Sequence, residues 1–204
     1  MTKIPNNKTG KIKTEIIITG FGGQGIVLAG FILGKAAAIG DKMESTLIQS
    51  YGPESRGGSC SAQVVISSET IHYPYVTTPD ILVCMSQSGY DKLGQQMKKN
   101  GILIIDQDLV RPSRNTEGEF FSIPSSRMAE EMGRIMMANI IMLGFFTAVT
   151  NAISMDAAQR SVLESVPKGT EELNLKAFGK GSDYGRAILK GRQKKATDQT
   201  GAMA

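Results

Sequence analysis

The chain has 204 residues, 41% of them hydrophobic and 21% charged, with a net charge of +4. That length buries a sizeable core within one domain. The longest apolar run, Met136 to Val149, is interrupted by Asn139 and falls short of the roughly 20 residues that span a bilayer. The start, MTKIPNNKTGKIK, lacks the apolar core of a signal peptide. A cytoplasmic protein without a membrane segment is the expectation. The positive charge is concentrated at the ends: residues 1–13 carry Lys3, Lys8, Lys11 and Lys13 with no acid, and residues 190–204 carry Lys190, Arg192, Lys194 and Lys195 against Asp198. The remainder, 14–189, is mildly acidic, which argues against nucleic acid as a partner and divides the chain into a basic N-terminal tail, one domain and a polar C-terminal tail.

In chain order, Glu15-Ile16-Ile17-Ile18-Thr19 reads as a buried strand running into the glycine turn GFGGQG. A helix follows over Ile26–Ala38, its small residues Ala29, Gly30, Gly34, Ala37 and Ala38 suited to close approach to a sheet, with Gly40 placed as its C-terminal cap. A second strand is predicted over Met43–Ile48, a loop over 49–59 from its Gly-Pro and Gly-Gly pairs, and a third strand over 60–67. DILVCMS (80–86) and GILIID (101–106) are continuous apolar runs, the pattern of strands covered on both faces in a parallel sheet. The amphipathic helix between them has Ser86 or Ser88 as N-cap. After the loop RPSRNTEGE comes a short strand near Phe120–Ile123.

From Ser125 the spacing is helical. Met128, Met132, Ile135, Met136, Ile140 and Leu143 form a stripe that suits either an adaptable core or a subunit interface. SMDAAQRSVLESV is a helix started by Ser154 and ended by Pro167. ELNLKAFGKGSDYGRAILKG is helical but holds three internal glycines, each costing roughly 1 kcal/mol relative to alanine, so it requires packing to stay folded. The alternation gives an α/β domain, a Rossmann-like doubly wound, mostly parallel sheet with an added C-terminal helical segment.

The candidate chemistry is in the glycine turn. Gly20, Gly22 and Gly25 satisfy G-x-G-x-x-G, and unpaired N–H groups at a helix start attract a phosphate that glycine lets approach closely. Gln24 adds a neutral donor. No Lys-Ser/Thr pair follows, so this is not a nucleoside triphosphatase loop. An NAD site also needs an acid at the end of the second strand; that end is expected at Gln49, and Glu44 lies at its start. NAD, another phosphate-bearing ligand, and tight helix–sheet packing alone all remain open on these residues. Cys60 and Cys84 form no metal-binding pattern and read as reduced thiols, and His72 reads as a packed or surface residue.

GFGGQGIVLAGFILGKAA, QSYGPESRGGSCSAQVVIS and DILVCMSQSGYDKL, in that order, followed by EELNLKAFGKGSDYGR, resemble the gamma subunit of 2-oxoacid:ferredoxin oxidoreductases over roughly residues 14–189. YGPESRGG is most similar to the 2-oxoglutarate branch. The resemblance implies a hetero-oligomeric enzyme that decarboxylates a 2-oxoacid with thiamine diphosphate, reduces ferredoxin through iron–sulfur clusters and transfers the acyl group to coenzyme A. It implies alpha and beta subunits as partners, with a delta subunit left open. Thiamine diphosphate, Mg and the clusters belong on those partner chains: this one has two cysteines, no G-D-G…N pattern, no metal site and no catalytic residue of its own. Relatives place the glycine turn near the coenzyme A phosphates, which carries over to Gly20, Gly22, Gly23, Gln24 and Gly25. The lysine that assists in some relatives is absent from Ile26–Gly30, and Lys35 lies further along. Arg56, in the 49–59 loop, either bridges to an anionic group across a subunit cleft or fastens its own loop.

Overall fold

A computed structural model describes residues 12–52, 58–113 and 118–201. The tail before Ile12, Arg56 and the middle of the 111–119 loop lie outside the described residues.

Six strands form one mixed sheet in the order β2-β3-β1-β4-β5-β6. They are β1 (Lys13–Phe21), β2 (Glu44–Tyr51), β3 (Ser59–Ser67), β4 (Ile81–Cys84), β5 (Ile102–Asp106) and β6 (Glu119–Ile123). β1, β4, β5 and β6 run parallel, and β3 is antiparallel to both β1 and β2. The two apolar runs that read as doubly covered strands are fully buried along β4 and β5. Their side chains divide between a large core on one face and a smaller one on the other, around Ile17, Leu82, Cys84, Leu103 and Ile105.

On the larger side lie α1 (Ile26–Lys35), α3 (Ser125–Glu131), α4 (Ala138–Thr150), α5 (Met155–Leu163) and α6 (Glu171–Gly201); Tyr90 and Leu93 of α2 (Gln87–Leu93) pack on the smaller. The small residues of α1 do what their size permits. A Cβ on Gly30 would lie 2.5 Å from that of Ala62, and one on Gly34 would lie 3.2 Å from Ser45 Oγ. Ser86 caps α2 by accepting from Gly89 N–H, and Ser154 caps α5 by accepting from Ala157 N–H.

Several boundaries differ from the sequence reading. β2 extends to Tyr51 and β3 begins at Ser59, so the two ends of the expected 49–59 loop belong to paired strands, and 53–57 lie outside the described residues. Gly40 is not a left-handed cap. α1 continues into a wide π turn, Ala36–Gly40, and Gly40 is needed for space, because a Cβ there would lie 2.2 Å from Ala157 Cβ. The residue with positive φ is Lys42. The methionine stripe is not one helix: Gly133 adopts φ 70 after α3, and a 3-10 turn, Ile135–Met137, precedes α4. The break rotates Ile135 and Met136 into solvent, while Met142 stays buried and Met128, Met132 and Met137 pack at the core margin. α6 crosses the tail boundary expected at 189/190 and ends at Gly201. Two of its glycines are contact points with α4: a Cβ on Gly181 would lie 1.9 Å from Ile141 O and one on Gly185 2.9 Å from Ala148 Cβ, while on the α4 side one on Gly144 would lie 2.0 Å from Phe178 O. The packing that a glycine-rich helix requires is supplied by this close crossing.

Candidate functional site

The glycine turn leaves the C-terminal end of β1, where the sheet changes connectivity. To one side is β4, parallel to β1, with Thr19 opposite Cys84. To the other is antiparallel β3, with Gly20 opposite Cys60 and Phe21 opposite Ser59. α1 and α2 depart on opposite faces, which makes this a switch point of the kind at which α/β sheets bind ligands.

The five predicted residues of the turn each have a distinct place there, and Arg56 lies outside the described residues. Gly20 gives room to the turn's own brace, since a Cβ would lie 2.4 Å from Gln24 Oε1. Gln24 Oε1 accepts from Phe21 N–H at 2.6 Å, and its Nε2 donates to Met85 O at 3.0 Å, so this side chain joins the β1 and β4 ends. Gly22 N–H donates to Gly58 O at 2.8 Å, tying the turn to the returning arm of the β2–β3 hairpin. Gly23 has φ 94, and a Cβ there would meet nothing within 4 Å; the turn faces open space at this residue. Gly25, at φ 73 and ψ 24, is the N-cap of α1 and has no side chain to cap it with. No acidic residue lies in the first turn of α1, and the N–H groups of Gly23, Gly25 and Ile26 have no acceptor among the described residues. Lys35 is at the far end of α1, paired with Glu164 at 2.9 Å.

Sequence reasoning missed Asn139. It is 3% exposed in the mostly apolar α4. Its Nδ2 donates to Gly25 O at 3.0 Å, and its Oδ1 accepts from Ile140 N–H at 2.9 Å. The starts of α1 and α4 thus meet at one side chain. Each helix start carries about +0.5 of an elementary charge, so two brought together favour an anion in front of them. The available signal was the interruption itself, because a lone amide buried in an apolar helix must find partners.

The NAD alternative loses its geometry here. In that fold the strand bearing the ribose-binding acid lies next to β1. Here β3 takes that place, β2 is displaced by two strand spacings of about 4.8 Å each, β2 ends in Tyr51, and Glu44 lies at its opposite end. No thiol is available as a nucleophile. Burial pushes the Cys60 and Cys84 thiols up, with the Asp91 charge adding to the effect at Cys84. His72 lies on the surface. No helix among the described residues is long and apolar enough to cross a membrane.

Comparison with known proteins agrees with this architecture. The pyruvate ferredoxin/flavodoxin oxidoreductase family matches residues 15–184. The chain is 47% identical over 186 residues to the 2-oxoglutarate synthase subunit KorC of Methanocaldococcus jannaschii, covering 90% of this chain and 100% of that one. It is 31% identical to the pyruvate synthase subunit PorC of Methanothermobacter marburgensis, over 80% of this chain and 92% of that one. The crystal structure of a keto/oxoacid ferredoxin oxidoreductase gamma subunit from Geobacter sulfurreducens superposes with a TM-score of 0.76 at 36% identity, covering 85% of this chain and 99% of that one. The 2-oxoglutarate:ferredoxin oxidoreductase of Magnetococcus marinus, solved with 2-oxoglutarate, coenzyme A and succinyl-CoA bound, shares the fold with a TM-score of 0.77 at 24% identity, over 86% of this chain and 31% of that one. The chain belongs to the pyruvate ferredoxin/flavodoxin oxidoreductase family, as a gamma-type subunit of a 2-oxoacid:ferredoxin oxidoreductase. It is one component of a multi-subunit enzyme and not a catalyst alone.

Proposed function

We propose that the chain is the gamma subunit of a 2-oxoglutarate:ferredoxin oxidoreductase and that its glycine turn contributes to binding the coenzyme A phosphates. The observation that carries the substrate is the 47% identity to a 2-oxoglutarate synthase subunit over that subunit's full length. The alpha and beta partners, with a delta chain where the complex has one, hold thiamine diphosphate, Mg and the iron–sulfur clusters and pass electrons to ferredoxin. This chain's share is to present uncapped N–H groups at Gly23, Gly25 and the start of α1 to a phosphate, within a turn held by Gly20, Gly22 and Gln24. Arg56, between β2 and β3 in the sequence, supplies a charged hydrogen bond to the same ligand or to the 2-oxoacid.

The test is an assay of the assembled complex with a panel of 2-oxoacids. The highest kcat/KM is expected with 2-oxoglutarate, and the chain alone is expected to show no turnover; a clear preference for pyruvate or a branched 2-oxoacid refutes the substrate assignment. Gly23→Ala places a methyl group where the turn faces open space. A KM for coenzyme A raised about tenfold or more on intact complex is expected; an unchanged one removes the turn from the ligand. Arg56→Ala is expected to raise one ligand's KM about ten- to a hundredfold, the equivalent of a charge-assisted hydrogen bond.

A second reading, an assembly subunit whose turn binds nothing, is favoured by one observation: Gly20 and Gly25 are crowded by Gln24 and Asn139, which satisfies a purely packing role. Unchanged coenzyme A constants in both variants would establish it.

A further inference from the structure

We propose that Asn139 is a positioning residue for coenzyme A, holding the start of α1 in its binding conformation; the inference rests on the reading of the glycine turn just given. Gly25 is in the left-handed region and its carbonyl does double duty. It accepts the first intrahelical bond of α1 from Ala29 N–H at 3.0 Å and a second from Asn139 Nδ2 at 3.0 Å. No side chain among the described residues accepts from the N–H groups of this helix start. The direction in which the N–H groups of Gly25, Ile26 and Val27 point therefore depends on where Gly25 O is held.

Asn139 is itself fixed, because its Oδ1 accepts from Ile140 N–H and its side chain is buried. The fit leaves no slack: a Cβ on Gly25 would lie 2.2 Å from Asn139 Nδ2. One amide thus does two things. Its donor end takes up the Gly25 carbonyl, and its acceptor end satisfies a donor at the start of α4. It joins two like-signed helix ends by a neutral group and leaves the positive field of both unneutralised for an incoming anion. A carboxylate at this position would satisfy the α4 donor but repel the Gly25 carbonyl and compete with the phosphate.

This difference between amide and carboxylate gives the experiment a readout that simple packing does not move. In the assembled complex, Asn139→Ala is expected to raise the KM for coenzyme A about three- to tenfold, the equivalent of one neutral hydrogen bond. The KM for the 2-oxoacid should not change. Asn139→Asp keeps the volume, so it carries the test if the alanine variant fails to assemble. Its effect on the coenzyme A KM should exceed that of alanine near pH 8. It should diminish as the pH is lowered and the carboxyl protonates, because the protonated acid regains a donor toward Gly25 O. Gly23→Ala serves as the control for the site. If Gly23→Ala raises the coenzyme A KM while both Asn139 variants leave it at the wild-type value, the positioning role is overturned and the site reading stands. If all three leave it unchanged on intact complex, the site reading fails and the positioning role falls with it.

Discussion

The two ends of β1 solve opposite problems. At the N-terminal end of β1 the charges of Lys13, Glu15, Asp80 and Lys98 are paired with one another. Lys98 Nζ donates to Asp80 Oδ1 at 2.8 Å and to Glu15 Oε2 at 3.2 Å, Lys13 Nζ donates to Glu15 Oε1 at 2.8 Å, and Asp80 Oδ2 accepts from Glu15 N–H at 2.8 Å. At the C-terminal edge the described groups around the turn are neutral, two helix starts converge, and N–H groups are left without acceptors. The first arrangement is closed and contributes stability. The second is incomplete within the chain, which is what the proposed coenzyme A contact requires. Substitutions at the first edge should therefore move melting temperature without moving ligand constants, and those at the second should move ligand constants.

Gly25→Ala is expected to have the largest effect because it breaks the second edge in both respects. The left-handed backbone costs a residue with Cβ about 1–2 kcal/mol, and forcing a methyl group against Asn139 adds about 1–3 kcal/mol. For a domain of this size that corresponds to a melting temperature lowered by roughly 5–15 °C, together with a raised coenzyme A KM. Gly23→Ala shares the positive φ but meets no neighbour within 4 Å, so it should lose only about 1–2 kcal/mol while still raising the KM. Equal thermal losses in the two variants, by scanning calorimetry, would show that the contact with Asn139 is not as close as the geometry has it.

At the first edge, Lys98→Met should be milder. Lys98 is 42% exposed on its side chain, which discounts its pairing with Asp80 and Glu15 to about 1–2 kcal/mol. The melting temperature should fall by roughly 2–8 °C, with the KM values for coenzyme A and the 2-oxoacid unchanged. A changed coenzyme A KM would mean that the two edges are coupled through β1.

The contrast between the edges was unevenly legible in the sequence. The glycine turn and the two buried strands were readable because they are local patterns, and so were the caps at Ser86 and Ser154. The antiparallel course of β3 was not, since strand direction is set by what the strand pairs with and not by its own alternation. Gly133 was passed over within a helical stripe because the spacing of Met128 to Leu143 fits one helix as well as two. The ion network at the first edge joins Glu15, Asp80 and Lys98 across strands whose order the sequence does not contain. Asn139 was visible as a break in an apolar run, but its partner, Gly25, is 114 positions away.

The smallest expected effect is the pH dependence of the first edge, and it separates the two edges without a new contact being broken. Burial pushes the Glu15 carboxyl up, but the hydrogen bonds and charges of Lys13 and Lys98 outweigh it and hold the group below its ordinary 4.5. A folded-state pKa below the unfolded value contributes stability that is fully present above 4.5 and is lost as pH falls through the folded value. Lys98 runs the other way: burial pulls it down, Asp80 and Glu15 outweigh that, and it sits above its ordinary 10.5. Its contribution is fully present below 10.5 and is lost as pH rises through the folded value. The difference in melting temperature between wild type and Lys98→Met should therefore be a plateau across neutral pH that narrows in acid as Glu15 protonates and again in strong alkali as Lys98 deprotonates. Both partners of Lys98 are carboxylates, so the acid limb should be the more accessible one to measure. A difference that stays constant from neutral pH to below the folded pKa of Glu15 would show that Lys98 stabilises through the packing of its aliphatic stem and not through its charge.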